Sequence, residues 1–318
     1  MHKALVAIPI LAIAFVLGAV VPASASVSVV PSKVEQQVHP GQVTTFSITF
    51  ENDSNGAYSV SATPWDFARD AHGNAQPITS ADSATFRGCA NWIRTPIASA
   101  PASPGKSVGL PIEVSVPQDA GPGSYHAYVR FLAAPPANAS GTLGVAYAIN
   151  ALVVLTVVPD GGVAGGASVD TQLLRRSVSV GSLLVPGPAM SGVVPLKATL
   201  INDGNVHSDV TPRFEILGAG GRVIATIPLR EFTLLPGDRY PISATWSKPP
   251  LLGNYTARLV MKQVDGKTLT KETSFWIVSW TAIYIAIGGL VALGVLAFLI
   301  KKFVHIEIRK ADPVPATT

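Results

Sequence analysis

The densest run of side chains able to do chemistry is Asp66-x-x-x-Asp70-x-His72-Gly73-Asn74. Two carboxylates, an imidazole and an amide stand there close enough to offer donors to a cation. A calcium loop needs regularly alternating acidic ligands closed by a bidentate Glu, and that spacing is missing. The run therefore reads as a hairpin tip with Gly73-Asn74 in the turn. No metal and no cofactor is expected.

Catalytic signatures are also missing. The chain has no H-E-x-x-H, G-x-S-x-G or S-x-x-K motif, no P-loop and no dinucleotide-binding glycine pattern. Its histidines, at 2, 39, 72, 126, 207 and 305, stand at no ligand spacing from one another. His126 alternates away from Tyr125 and Val129 and reads as a solvated strand residue. Cys89 is the single cysteine, so no internal disulfide can form, and a buried small hydrophobe is the expected role. These absences point to a non-enzymatic protein.

The surroundings of such residues are β-strands. In 43–50, Phe46, Ile48 and Phe50 alternate with Thr45, Ser47 and Thr49. The same period of two runs through Val108, Leu110, Ile112, Val114 and Val116, and later through Tyr240, Ile242, Ala244 and Trp246. Each strand thus has one face for a core and one for water. Pro, Gly and Asn punctuate the strands at the intervals of a sandwich.

The pattern occurs twice. Asn52-Asp53 and Asn202-Asp203 each follow a strand, and Pro104-Gly105 and Pro236-Gly237 each open one. Gly123-x-Tyr125 and Gly253-x-Tyr255 then open the next, 18 and 16 residues after the respective glycine of Pro-Gly. A tyrosine in that place resembles the corner tyrosine of immunoglobulin-like sandwiches. The expected fold class is all-β, as two tandem immunoglobulin-like β-sandwiches. The first covers 27–159, a hinge covers 160–167, and the second covers 168–278. From the Asn turn to Pro-Gly the first copy takes 52 residues and the second 34. The excess falls at about 64–104 and brings Trp65, Asp66, Asp70, His72 and Trp92. Insertions on a rigid sandwich are where recognition concentrates, so these five are the candidate ligand-binding residues. Trp92 has a second reading, as a cap on the core.

The chain's 318 residues are 48% hydrophobic and 13% charged, and the apolar excess sits at both ends. His2 and Lys3 precede an uncharged run over 4–20, and Ala23-Ser24-Ala25 fits a signal peptidase, so 1–25 reads as a cleaved signal peptide. Residues 280–300 carry no charge and are long enough to cross a bilayer. Trp276, Trp280 and Tyr284 mark the entry, and Lys301 and Lys302 mark the exit. The expected location is the cell membrane, single-pass, with the N-terminal part outside and 301–318 as a basic cytoplasmic tail. Between 26 and 279 there are 18 Lys and Arg against 17 Asp and Glu. That balance argues against nucleic acid as a partner.

The arrangement resembles the WxL-interacting proteins of Gram-positive bacteria. The resemblance is carried by Pro40-Gly41 before Phe46-Ser47-Ile48, the Asn52 turn, Trp92-Ile93, Pro117, and 121–131. Residues 202–207, Pro236-Gly237 and Gly253-x-Tyr255 continue it. It implies two immunoglobulin-like domains, the first binding peptidoglycan and the second docking a surface protein. The leading expectation is accordingly a cell-envelope protein that binds cell wall polymer, an exported surface protein, or both. The alternative is a membrane-tethered assembly chaperone for exported proteins. That role needs a basic anchor cleft and an exposed edge strand. The near-neutral charge of 26–279 does not suggest the cleft, and Arg175-Arg176 leaves it open.

Overall fold

The computed structural model describes residues 26–79, 86–136, 145–159, 173–185, 192–263 and 266–303. The expected signal peptide, the expected hinge and most of the expected basic tail fall outside them. The alternating segments form strands, as the period of two requires. β1 (Val27–Val30), β3 (Val43–Asn52), β9 (Lys106–Ser115) and β7 (Ile93–Arg94) make one sheet in the order β1-β3-β9-β7. Facing it are β2 (Lys33–Val38), β11 (Tyr147–Val157), β10 (Gly123–Ala134), β4 (Tyr58–Trp65) and β8 (Ala100–Ala102), in the order β2-β11-β10-β4-β8. Ile48, Phe50, Leu110, Ile112, Val129, Phe131 and Leu155 fill the space between the sheets. Cys89 is part of this core. Burial raises its thiol pKa well above the usual range, with the nearby Asp66 carboxylate adding to the effect.

The C-terminal sandwich has its own core, built on Leu196, Leu200, Phe214, Ile216, Leu259 and Met261. One sheet is β12 (Val178–Leu184), β13 (Val194–Asn202) and β17 (Arg239–Trp246). The other is β15 (Val223–Pro228), β14 (Ser208–Leu217), β18 (Leu252–Gln263) and β19 (Thr268–Val278), with β16 (Phe232–Leu234) also pairing β14. A two-stranded hairpin, β5 (Phe67–Arg69) with β6 (Ala75–Pro77), stands outside these sheets.

The repeated residues perform the same task in both sandwiches. Asn52 and Asn202 are buried. Their carbonyl oxygens accept hydrogen bonds from Gly105 N at 2.8 Å and Gly237 N at 2.9 Å, which ties each Asn turn to its Pro-Gly turn. Asn52 Nδ2 donates to the carbonyls of Gly56 and Ala102, and Asn202 Nδ2 to those of Val206 and Leu234. The Tyr125 hydroxyl donates to Gly121 O at 3.2 Å and the Tyr255 hydroxyl to Leu252 O at 3.3 Å. Each bond runs a few residues upstream, to the loop before β10 and to the first residue of β18, the corner geometry of immunoglobulin-like folds. The shared motifs are anchors of the fold.

After β19 a single residue, Ser279, leads into α1 (Trp280–Phe303). Ser279 Oγ accepts from Ala282 N at 3.1 Å, capping the helix. From Trp280–Lys302 the helix is long and apolar enough to cross a membrane.

Candidate partner-binding cleft

The five candidate ligand-binding residues do not gather on one surface. Trp92 sits in a short 3₁₀ turn, Ala90–Trp92, and is buried in the N-terminal core. Its ring lies 4.4 Å from that of Tyr125. This is the core-cap reading. Asp66 turns inward and its Oδ1 accepts from Ala90 N at 2.8 Å. Asp70 closes the β5–β6 turn, accepting from the backbone N–H groups of His72 at 2.8 Å and Asn74 at 2.9 Å. Those donors, the Asn74 backbone foremost, hold its carboxyl down at about 2. His72 is exposed at the same tip. Trp65 lies on the outer face of the five-stranded sheet, stacked on Tyr128 at 5.4 Å.

That outer face is not solvated. The β5–β6 hairpin folds over it and puts Phe67 against Tyr128, with ring centres 4.1 Å apart. Phe67, Val154 and Leu235 form a third buried cluster, with Leu235 contributed by the C-terminal sandwich. His126 corrects the expectation of a solvated residue. It does point away from the N-terminal core, but Phe67 covers it at 5.0 Å and it is 3% exposed. Burial drives its pKa down from 6.5 to about 4. Alternation reports which face a residue occupies, and it is blind to an insertion that covers that face.

The insertion joins the sandwiches. Arg69 Nη1 meets Asp238 Oδ2 at 2.5 Å and donates to Thr233 O at 3.1 Å. Its guanidinium also sits over the Tyr240 ring at 4.9 Å. Burial raises the pKa of Asp238 even though Arg69 works against the shift. A second set of contacts starts at β2. Lys33 Nζ donates to both carboxylate oxygens of Asp209 at 2.9 Å and to Thr233 Oγ1 at 3.1 Å. Burial works against the charge on Lys33, but the bonds to Glu35 and Asp209 outweigh it and raise the pKa.

The third set surrounds Ser124. Its backbone N donates to Asn205 O at 2.7 Å, and its Oγ lies 2.8 Å from His207 Nδ1 and 2.9 Å from Thr156 Oγ1. Gly123 makes this approach possible. It adopts φ +125°, and a Cβ there would lie 2.5 Å from Asn205 O. Asn205 Nδ2 donates to the carbonyls of Leu173 and Pro122, the second across the interface.

Beside His207 the sandwiches leave a cleft of about 710 Å³. One wall is Glu35, Gln36 and Gln37 of β2, and the other carries Arg175, Arg176, Val206 and Lys267. β2 is an edge strand. It pairs in parallel with β11 on one side, and no strand pairs its other side among the described residues. Arg175 is fixed by its own contacts, with Nη2 donating to Asp203 O at 2.8 Å and its backbone N to Asn205 Oδ1 at 2.7 Å. Burial lowers the His207 pKa against the pull of Glu35 and Asp209. Arg175, Arg176 and Lys267 line the cleft together with Glu35, which also pairs with Lys33 at 2.7 Å.

Arg175-Arg176 was visible in the sequence, but its neighbours in the cleft were not. Gln36 and Gln37 belong to a short strand whose composition shows no apolar alternation, and only the fold brings them to Lys267 and His207. The outward series Lys33, Glu35 and Gln37 was the one available signal.

No protein-family model and no curated protein matches the chain. Among solved structures it is similar to the CsuC-CsuE chaperone-tip adhesion subunit pre-assembly complex of Acinetobacter baumannii. That match has 10% identity and a TM-score of 0.41, covering 80% of this chain and 99% of that one. It is also similar to the E. coli chaperone DraB, at 13% identity and a TM-score of 0.35, covering 78% and 98%. The Pseudomonas aeruginosa CupB2 chaperone gives 12% and 0.35, covering 76% and 97%. Likeness at that level says nothing of what this chain binds.

Proposed function

We propose that the protein is a non-enzymatic, membrane-anchored envelope protein whose inter-sandwich cleft holds an extended segment of an exported surface protein, as a tethered assembly chaperone does. One observation carries this reading: a free strand edge, β2, lines the same cleft as Arg175, Arg176 and Lys267. An extended peptide can add to such an edge through main-chain hydrogen bonds, while the cations hold a carboxylate of the incoming chain. The edge gives affinity with little demand on sequence, and the charge sets direction and register. The anchor α1 keeps this cleft at the membrane where exported chains emerge. Lys301 and Lys302 at its far end support a tail in the cytoplasm and sandwiches outside.

The experiment is site-specific photo-crosslinking in the host, with the crosslinker at Gln37 in the full-length chain and a second at Thr211 on the C-terminal sandwich. Exported proteins crosslinked from Gln37 and not from Thr211 support the reading. Crosslinks to wall polymer from Gln37 would return the protein to the wall-binding role implied by its resemblance to WxL-interacting proteins. No Gln37-specific crosslink would remove the cleft from the account.

A further inference from the structure

We infer that the end of the C-terminal sandwich next to α1 is a lipid-contacting foot, seated in the interfacial layer of the bilayer that α1 crosses. The inference rests on α1 being a span and is independent of what the cleft binds.

The strand registers define which end this is. β19 finishes at Val278, paired with Leu252 at the start of β18, and Ser279 N donates to Leu251 O at 2.8 Å. Leu217 at the end of β14 pairs Thr256 and Val223, and Val194 at the start of β13 pairs Trp246. The opposite ends of these strands, at Asn202 and Ser208, face the N-terminal sandwich.

Large apolar side chains exposed on the C-terminal sandwich are not scattered. Among the described residues all but Leu173 lie at the α1 end, including Leu184, Val193, Ile224, Leu251, Leu252 and Trp276, each between 42% and 61% exposed. Apolar residues collected at one end of a sandwich mark a contact surface, whereas single ones spread over a surface need no explanation.

The occupant follows from covalent continuity. Only Ser279 separates β19 from the helix, and its backbone is bonded to Leu251, so the end of the sandwich has no slack to lift away from the point where α1 enters lipid. Trp280 and Tyr284, the first aromatic residues of α1, stack at 6.3 Å in the position of an interfacial belt. Charge agrees with this placement. Arg222 and Lys248 are exposed on loops at this end, where long cationic side chains reach headgroup phosphates while their stems lie along apolar surface. Glu215 on β14 and Glu272 on β19 are both paired with Arg258.

The test uses the full-length chain in phosphatidylcholine–phosphatidylglycerol nanodiscs, in a Cys89→Ser background. Spin labels are placed singly by Leu252→Cys, Ile224→Cys, Thr211→Cys and Leu293→Cys. Collision rates with oxygen, which concentrates in lipid, are compared with those of a water-soluble nickel chelate. The foot predicts oxygen-dominated collisions at 252 and 224, as at 293 inside α1, and chelate-dominated collisions at 211. Chelate-dominated collisions at both 252 and 224, with 293 still lipid-like, would overturn the foot and leave the anchor standing. Protection from both reagents at 252 and 224 would also overturn it, because protein would then cover the surface. Chelate access at 293 would remove the span itself.

Discussion

Arg69, on the hairpin inserted into the N-terminal sandwich, meets Asp238, the residue after Pro236-Gly237 in the C-terminal sandwich, at 2.5 Å. Both side chains are about nine-tenths buried. Asp238 Oδ2 also accepts from Leu235 N at 2.8 Å, and Leu235 packs on Phe67 in the cluster between the sandwiches. The insertion is therefore a strut that sets how the two sandwiches meet, and with that the shape of the cleft.

Removing one partner of a buried ion pair strands the other charge, at a cost of about 3–5 kcal/mol. Arg69→Ala should therefore loosen the hairpin from the C-terminal sandwich without unfolding either core. Limited proteolysis should find new cleavage near 70–74, where the parent resists. Small-angle scattering of detergent-solubilised protein should show a wider spread of shapes. Unchanged proteolysis and scattering would contradict the strut.

Trp92 is buried against Tyr125, so Trp92→Ala should destabilise the N-terminal sandwich by about 3–5 kcal/mol. Denaturant unfolding monitored by circular dichroism measures this. A loss below about 1 kcal/mol would mean that the ring does not fill the core.

His126 gives the fold a pH dependence. Its folded pKa, about 4, lies below its ordinary 6.5. The unfolded chain therefore binds a proton across the interval that the folded chain refuses, and stability rises with pH there. The contribution is fully present above pH 6.5, about 3 kcal/mol, and is lost as pH falls toward 4. His207, also lowered by burial, acts in the same direction. His126→Phe should flatten the stability profile between pH 6.5 and 4. A profile as steep as the parent's would contradict the burial of this ring.

Much of the fold was legible because strand alternation is a local signal. The Asn turn, Pro-Gly and Gly-x-Tyr elements were legible because they occur twice, and the structure shows why: Asn52 holds Gly105 as Asn202 holds Gly237. The insertion could be delimited by comparing the copies, but its role could not. Phe67 and Arg69 act through Tyr128, Leu235 and Asp238, and those contacts depend on how two sandwiches meet. His126 was misread for the same reason. The cleft was legible only as one basic pair, since Lys267 and Gln37 come to Arg176 through strand order.

The central claim is that β2 and the Arg175–Arg176 pair together receive an extended chain. The most direct measurement is hydrogen exchange at the β2 amides of the full-length protein in nanodiscs, with and without the exported protein that Gln37 captures. The account predicts slowed exchange at Glu35 and Gln37, whose amides face away from β11, when the partner is bound, and loss of that slowing together with weakened binding in Arg175→Glu/Arg176→Glu. Binding with unchanged β2 exchange, or undiminished affinity in the double variant, would contradict it.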